Sequence, residues 1–194
     1  PILISAIVAH TFSAELYDMN PLFEANLGGI SEFYEIFLLG ILGIISGLVG
    51  SIYMRGLTGP FKIPKSIPVF FLPIIAGAIC GVVGIFLPEL LGLGTGTIRS
   101  LIEAPSYTGY LVLLLIGKLF LTVICIRLGL FGGIFSPALF IGVCTGSIFA
   151  LLSGTFVEIN HSLFAVAGLA AVTSTVIGGP IATLLIVFEL TSDY

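Results

Sequence analysis

A chain of 194 residues has the length of one compact water-soluble domain, but it is 58% hydrophobic and only 8% charged, against roughly 25% charged in an average globular domain. Six basic and ten acidic side chains cannot clothe a soluble body of this size, and a mean hydropathy of +1.26 excludes the soluble enzyme classes. A net charge of −4 with so few cations also leaves no basic face for nucleic acid, where every phosphate contact needs one.

The chain opens on Pro1-Ile-Leu-Ile-Ser-Ala-Ile-Val-Ala9, with no initiator methionine and no charged leader. It closes on Glu189-Leu-Thr-Ser-Asp-Tyr194 without a polar tail, so the expectation is a fragment, cut at both ends. An acidic stretch with Glu15, Asp18, Glu24 and Glu32 precedes the first apolar run, Phe33 to Met54, whose one charge is Glu35. A spanning helix needs about 20 such residues. Arg55, Lys62 and Lys65 follow without an acidic neighbour, which predicts a cytoplasmic loop there and an outer location for the acidic stretch.

Ile67 to Leu93 is the second run, and Pro68, Pro73 and Pro88 predict that it is tilted, kinked or split. Thr108 to Ile126 is the third, interrupted by Lys118. Two further runs, Gly129 to Leu152 and Leu163 to Leu190, are each broken internally. The expected fold is all-α, a polytopic transmembrane bundle with discontinuous helices. The glycines at 40, 43, 47 and 50 have helix-packing spacing, so a helix or subunit contact is expected on that face.

The first break lies in Gly129-Leu-Phe-Gly-Gly-Ile-Phe-Ser-Pro-Ala138. Gly132-Gly133 interrupts helix, and Ser136-Pro137 reads as N-cap and first helical residue of a new one. With Arg127 at a cytoplasmic helix end, that helix starts within the membrane and leaves it near Gly154 to His161. Irregular backbone at such depth belongs where protein buries it or a cavity borders it. A helix start carries roughly +0.5 elementary charge and several unpaired N–H groups. The amides of Ile134 and Phe135 are therefore candidate anion donors, which hold an ion more loosely than a formal cation would. The alternative is a kinked helix without a ligand. A second break, Val176-Ile-Gly-Gly-Pro-Ile-Ala-Thr183, predicts a helix ending at Gly178 or Gly179 and another starting at Pro180.

Other chemistry is sparse. Lys118 would either raise the positive potential for anions or pair with a carboxylate or helix C-terminus, the second being favoured. Glu189 is expected to cap or pair at the membrane edge. His10 and His161 have no Cys, Asp or Glu companions at ligand spacing, so no metal site is expected. Cys80, Cys125 and Cys144 lie in apolar runs with no C-x-x-C spacing and read as buried thiols. No nucleophile motif surrounds Ser136, and no enzymatic activity is expected.

Five segments together resemble one family. Gly132-Gly-Ile-Phe-Ser-Pro-Ala-Leu139 is similar to the G-G-I-F-[AS]-P motif of the CLC chloride channels and chloride/proton exchangers. Gly92-Leu-Gly-Thr-Gly96, Gly117-Lys118, Ala165-Val-Ala-Gly-Leu-Ala-Ala171 and Val187-Phe-Glu-Leu-Thr-Ser-Asp-Tyr194 resemble further family segments, in order, across about residues 35–194. The resemblance implies an inverted-repeat fold, of which residues 1–194 form a partial pore-forming domain, mainly the second half. It implies chloride bound by the main-chain amides of Ile134 and Phe135, with Gly132 and Gly133 admitting the ion and Ser136-Pro137 starting the helix. It implies a homodimer in the plasma or inner membrane, chloride alone or chloride with protons as cargo, and no cofactor. Transport of another small anion such as fluoride or nitrate, or a non-transporting scaffold, are the alternatives.

Departures accompany the match. The family's G-S-G-I-P segment, its gating-glutamate segment G-[RK]-E-G-P and its paired-glutamate stretch have no counterpart in these residues. The resemblance places them ahead of Pro1, and a chloride-contacting tyrosine after Tyr194. Channel and exchanger are therefore not separable here, and the chain by itself is expected to conduct no chloride selectively. At the second break the family's R-A-P-L-T is replaced by Gly178-Gly-Pro-Ile-Ala182, which removes a basic residue.

Overall fold

The structure, a computed structural model, describes residues 32–60, 68–104, 106–130 and 132–191, together with Val8 and Phe12. Among these residues it is all-α, with seven helices: α1 (Phe33–Thr58), α2 (Leu72–Phe86), α3 (Thr95–Glu103), α4 (Thr108–Arg127), α5 (Phe135–Ser153), α6 (His161–Ile177) and α7 (Pro180–Thr191). Two single 3-10 turns, Val69–Phe71 and Pro88–Leu90, flank α2. Four segments, α1, Val69–Phe86, α4 and α5, are long and apolar enough to cross a bilayer, as expected of an integral membrane protein. The acidic residues at 15, 18 and 24, His10, Lys62 and Lys65 lie outside the described residues.

The run from Ile67 to Leu93 is split. Pro88 has no N–H for the helical ladder and pushes its predecessor away from helical geometry. Leu87 accordingly sits at φ −138° and ψ 75°, ending α2. The chain then makes the Pro88–Leu90 turn and passes through Gly92 and Gly94, at φ +60° and +70°, into α3. This short helix was not foreseen, since it is amphipathic rather than uniformly apolar. It buries Ile98, Leu101 and Ile102 and carries an exposed Arg99–Glu103 pair at 2.7 Å.

The centre of the bundle is α5. Buried residues make up 61% of its most apolar window, against 22% for α1 and α4 and 11% for the α2 segment. Its partner is α6, and the two backbones meet through glycine. A Cβ on Gly168 would stand 2.6 Å from Gly146 Cα and 2.7 Å from Gly142 O. Close approach of this kind replaces side-chain interdigitation with backbone contact and leaves little play between the helices.

Beyond this pair, α6 starts on Asn160, whose side chain accepts from the Leu163 amide at 3.3 Å. At the same end His161 Nε2 lies 3.0 Å from Leu101 O, and Ser162 Oγ donates to Ile102 O at 2.8 Å. The last carbonyls of α3 are thereby satisfied by the first residues of α6.

On α1 the buried stripe is Leu42, Ser46, Gly50 and Tyr53. Of the four glycines expected to pack, Gly50 alone meets a neighbour among the described residues, with an added Cβ 2.8 Å from Thr175 Cβ; at Gly40, Gly43 and Gly47 it would meet none of them within 4 Å. The α6-facing stripe runs along a different line of the helix from the other three glycines. Arg127, at the end of α4, donates to Gly56 O through Nε and Nη2 at 2.9 and 2.7 Å. That bidentate clamp ties the C-terminal ends of α1 and α4 together, just before the chain turns towards the first break.

Candidate anion site at the start of helix α5

Helix α4 ends in a tight turn in which the Leu128, Gly129 and Leu130 amides bond back to Ile124, Ile126 and Cys125 carbonyls. Gly129 takes φ +88°, where a side chain would be strained. Phe131 is outside the described residues. Gly132 and Gly133 are exposed, and a Cβ on either would meet nothing within 4 Å. The helix then starts at Phe135, with Ile134 as N-cap.

The helix therefore starts two residues earlier than expected. Ser136 is not the N-cap, and Pro137 is the third helical residue rather than the first. The physical reason is a competing acceptor: the Ser136 hydroxyl donates to Leu93 O at 3.0 Å, tying α5 to the glycine-rich loop. Ile134 has no side-chain acceptor, so the first turn carries no side-chain cap. Among the described residues, no backbone acceptor faces the amides of Ile134, Phe135 or Ser136. Pro137 has no amide to satisfy. The Ile134, Phe135 and Ser136 amides are those that a helix does not satisfy from within its own ladder.

Beside them is a cavity of about 410 Å³. Gly132, Gly133, Ser136 and Pro137 line it, together with the Leu90–Leu93 loop and residues of α2 and α4 that include Lys118 and Thr122. Ile134 and Phe135 lie between lining residues in sequence but are not themselves among those that line it. The Phe135 ring packs against the main core cluster, and Ile134 is 38% exposed. The fully buried Tyr53 approaches from α1, its hydroxyl 3.5 Å from Ile134 O. Sequence reasoning passed over Tyr53; the available signal was a tyrosine inside a spanning helix, whose hydroxyl needs a partner.

Lys118 forms part of the opposite wall. It is buried, and its ammonium donates to Leu90 O and Gly92 O, both at 2.9 Å, while lying 5.0 Å from the Phe140 ring centroid. The favoured expectation, a carboxylate or helix C-terminus, is met in its second form: the partners are carbonyls at the end of the Pro88–Leu90 turn and just beyond. Carbonyls satisfy the hydrogen bonds of Lys118 without bringing a formal negative charge beside it. Lys118 and Ser136 thus hold the same loop from two sides, Lys118 through residues 90 and 92 and Ser136 through residue 93.

The second break forms as expected. Gly178, at φ +73°, caps α6 by donating to Ser174 O at 2.9 Å, and α7 starts at Pro180. The thiols are less uniform than expected. Cys144 is fully buried, whereas Cys80 and Cys125 are half-buried, and all three are free. Among the described residues no group of three metal-binding side chains occurs.

Comparison with known proteins agrees with these features. The family model for the voltage gated chloride channel matches residues 1–194, which includes the first 30 residues, where motifs are weakest. The H(+)/Cl(-) exchange transporter ClcA of Vibrio cholerae serotype O1 is 35% identical over 121 residues, covering 61% of this chain and 26% of that protein. The ClcA proteins of Cronobacter sakazakii and Salmonella agona align with 100% of this chain, at 29% and 26% identity, and the chain spans 42% of each. It therefore spans less than half the length of these relatives. An uncapped helix start following Gly132-Gly133, a cavity beside it and a match over the whole sequence lead to one assignment: the chain belongs to the voltage-gated chloride channel family.

Proposed function

We propose that the chain is part of the pore-forming domain of a chloride transporter, with chloride held by the Ile134 and Phe135 amides at the start of α5. The observation that carries this reading is the helix start itself. Its donors lack protein acceptors among the described residues, and two side-chain-free positions stand between them and the cavity. A partial positive charge from aligned peptides attracts an anion without the tight hold of a full cation. The Lys118 ammonium, kept in place by two carbonyls, adds a longer-range attraction across the cavity.

Proton-coupled exchange is the form of transport favoured by the relatives, which are named as H(+)/Cl(-) exchangers. Under this reading the protein works in the plasma or inner membrane as a homodimer and needs no cofactor. The test is efflux from liposomes holding the full-length protein. Chloride efflux accompanied by proton movement in the opposite direction is expected. A full-length protein that moves no chloride under any chloride or pH gradient would overturn the proposal, and chloride movement without protons would identify a channel.

A further inference from the structure

The cavity wall carries a second chemistry that anion binding does not use. Cys80 on α2 and Cys125 on α4 are separated by 45 residues in sequence, yet their Sγ atoms lie 3.1 Å apart. Both are free thiols, both are half-buried, and both line the same cavity as Gly132, Gly133 and Ser136. Cys144, by contrast, is fully enclosed in the core. Two thiols in contact differ from a solitary one, because they can give up two electrons together after closing by about 1 Å.

Their position gives such a bond a consequence. Among the described residues, Leu72 and Ala76 are the buried positions of α2. α4 is clamped to α1 through Arg127 and to the glycine-rich loop through Lys118. A covalent link from Cys80 to Cys125 would fasten α2 to α4 along the cavity wall.

We propose that Cys80 and Cys125 form a dithiol site that reacts with low-molecular-weight disulfides of the glutathione type, and that the resulting bond locks α2 to α4 and reduces anion passage. In the first step one cysteine thiolate attacks the small disulfide, forming a mixed disulfide and releasing one small thiol. The second cysteine thiolate then attacks the protein sulfur of that mixed disulfide, forming the Cys80–Cys125 bond and releasing the second small thiol. The two thiol protons and two electrons of the protein end on the small disulfide, which is reduced to two thiols. The effect on flux rests on the chloride-transport reading; the reactivity of the pair does not.

The test uses the full-length protein in liposomes, treated with glutathione disulfide and then examined by peptide mass spectrometry and by chloride efflux. A peptide carrying Cys80 joined to one carrying Cys125, about 2 Da lighter than the two together, is expected. Efflux falls with its appearance and returns on adding dithiothreitol. Cys80→Ala and Cys125→Ala keep their efflux under the same treatment, and pre-alkylated wild-type protein serves as the control should either variant fold poorly. Absence of the joined peptide overturns the dithiol site. A joined peptide with unchanged efflux overturns the locking effect. A reduced protein without efflux defeats the transport reading, while the joined peptide still reports on the thiol pair.

Discussion

The two helix breaks look alike as sequence, since each is a glycine pair followed closely by proline, yet the structure makes them different devices. At the first break the chain leaves α4, passes Gly132-Gly133 and restarts at Phe135 beside a 410 Å³ cavity, with Lys118 and Ser136 holding the facing loop. At the second, α6 is closed by its own Gly178 amide on Ser174 O, and α7 begins two residues later with the Thr183 amide on Gly179 O. Its neighbours Ile177 and Ile181 are 43% and 75% exposed. Both restarts border a cavity, about 410 Å³ at the first and about 380 Å³ at the second, so the difference lies in the walls: the surrounding helices bring Lys118 to the first and mostly aliphatic side chains to the second.

The contrast can be broken or sharpened by substitution. The largest effect is expected where α5 is held rather than where it starts. Gly168→Leu would drive a side chain into the α5 backbone, at a cost above about 3 kcal/mol, read as loss of monodisperse protein after extraction. Next is Lys118→Met, which leaves the carbonyls of Leu90 and Gly92 without their donor. It should destabilise by about 3 kcal/mol in thermal unfolding and weaken chloride binding measured by titration calorimetry.

Gly178→Ala strains a left-handed position and should cost about 1 kcal/mol, with chloride affinity unchanged. If it weakened chloride binding as much as Lys118→Met, the distinction between the two breaks would be lost. Ser136→Ala removes one hydrogen bond worth about 1 kcal/mol. Because Ser136 clamps the loop rather than capping the helix, faster hydrogen exchange is expected at Leu91–Gly94 and not at Ala138 or Leu139. Exchange confined to the latter pair would restore the capping role. Smallest of all, Gly179→Ala, whose Cβ would meet Ala182 and Ile177 at 3.7 Å, should shift stability by less than about 0.5 kcal/mol.

Much of the site was legible because its residues are adjacent in the chain. Gly132, Gly133 and Pro137 mark a helix start through local backbone rules alone, and the structure moves its onset by two residues. Ser136 was misread because capping is a local rule, while its acceptor, Leu93 O, is 43 residues away. Tyr53 at Ile134 O and the Cys80–Cys125 contact were illegible for the same reason. Helix α3 was missed because a search for spans rewards uniform apolarity, and this helix has a polar side.

By itself, the sequence determined that this is an integral membrane protein, where its spanning runs lie and where they break. Those properties follow from the energy of burying charge in hydrocarbon and from the limits that proline and glycine place on individual residues. Only the tertiary structure decided which break's cavity carries a lysine, which glycines bring helices into contact, and that Lys118 is held by carbonyls instead of a carboxylate. The physical reason is distance along the chain: hydropathy and backbone preference act over a few residues, whereas the contacts that shape this site join helices far apart in sequence.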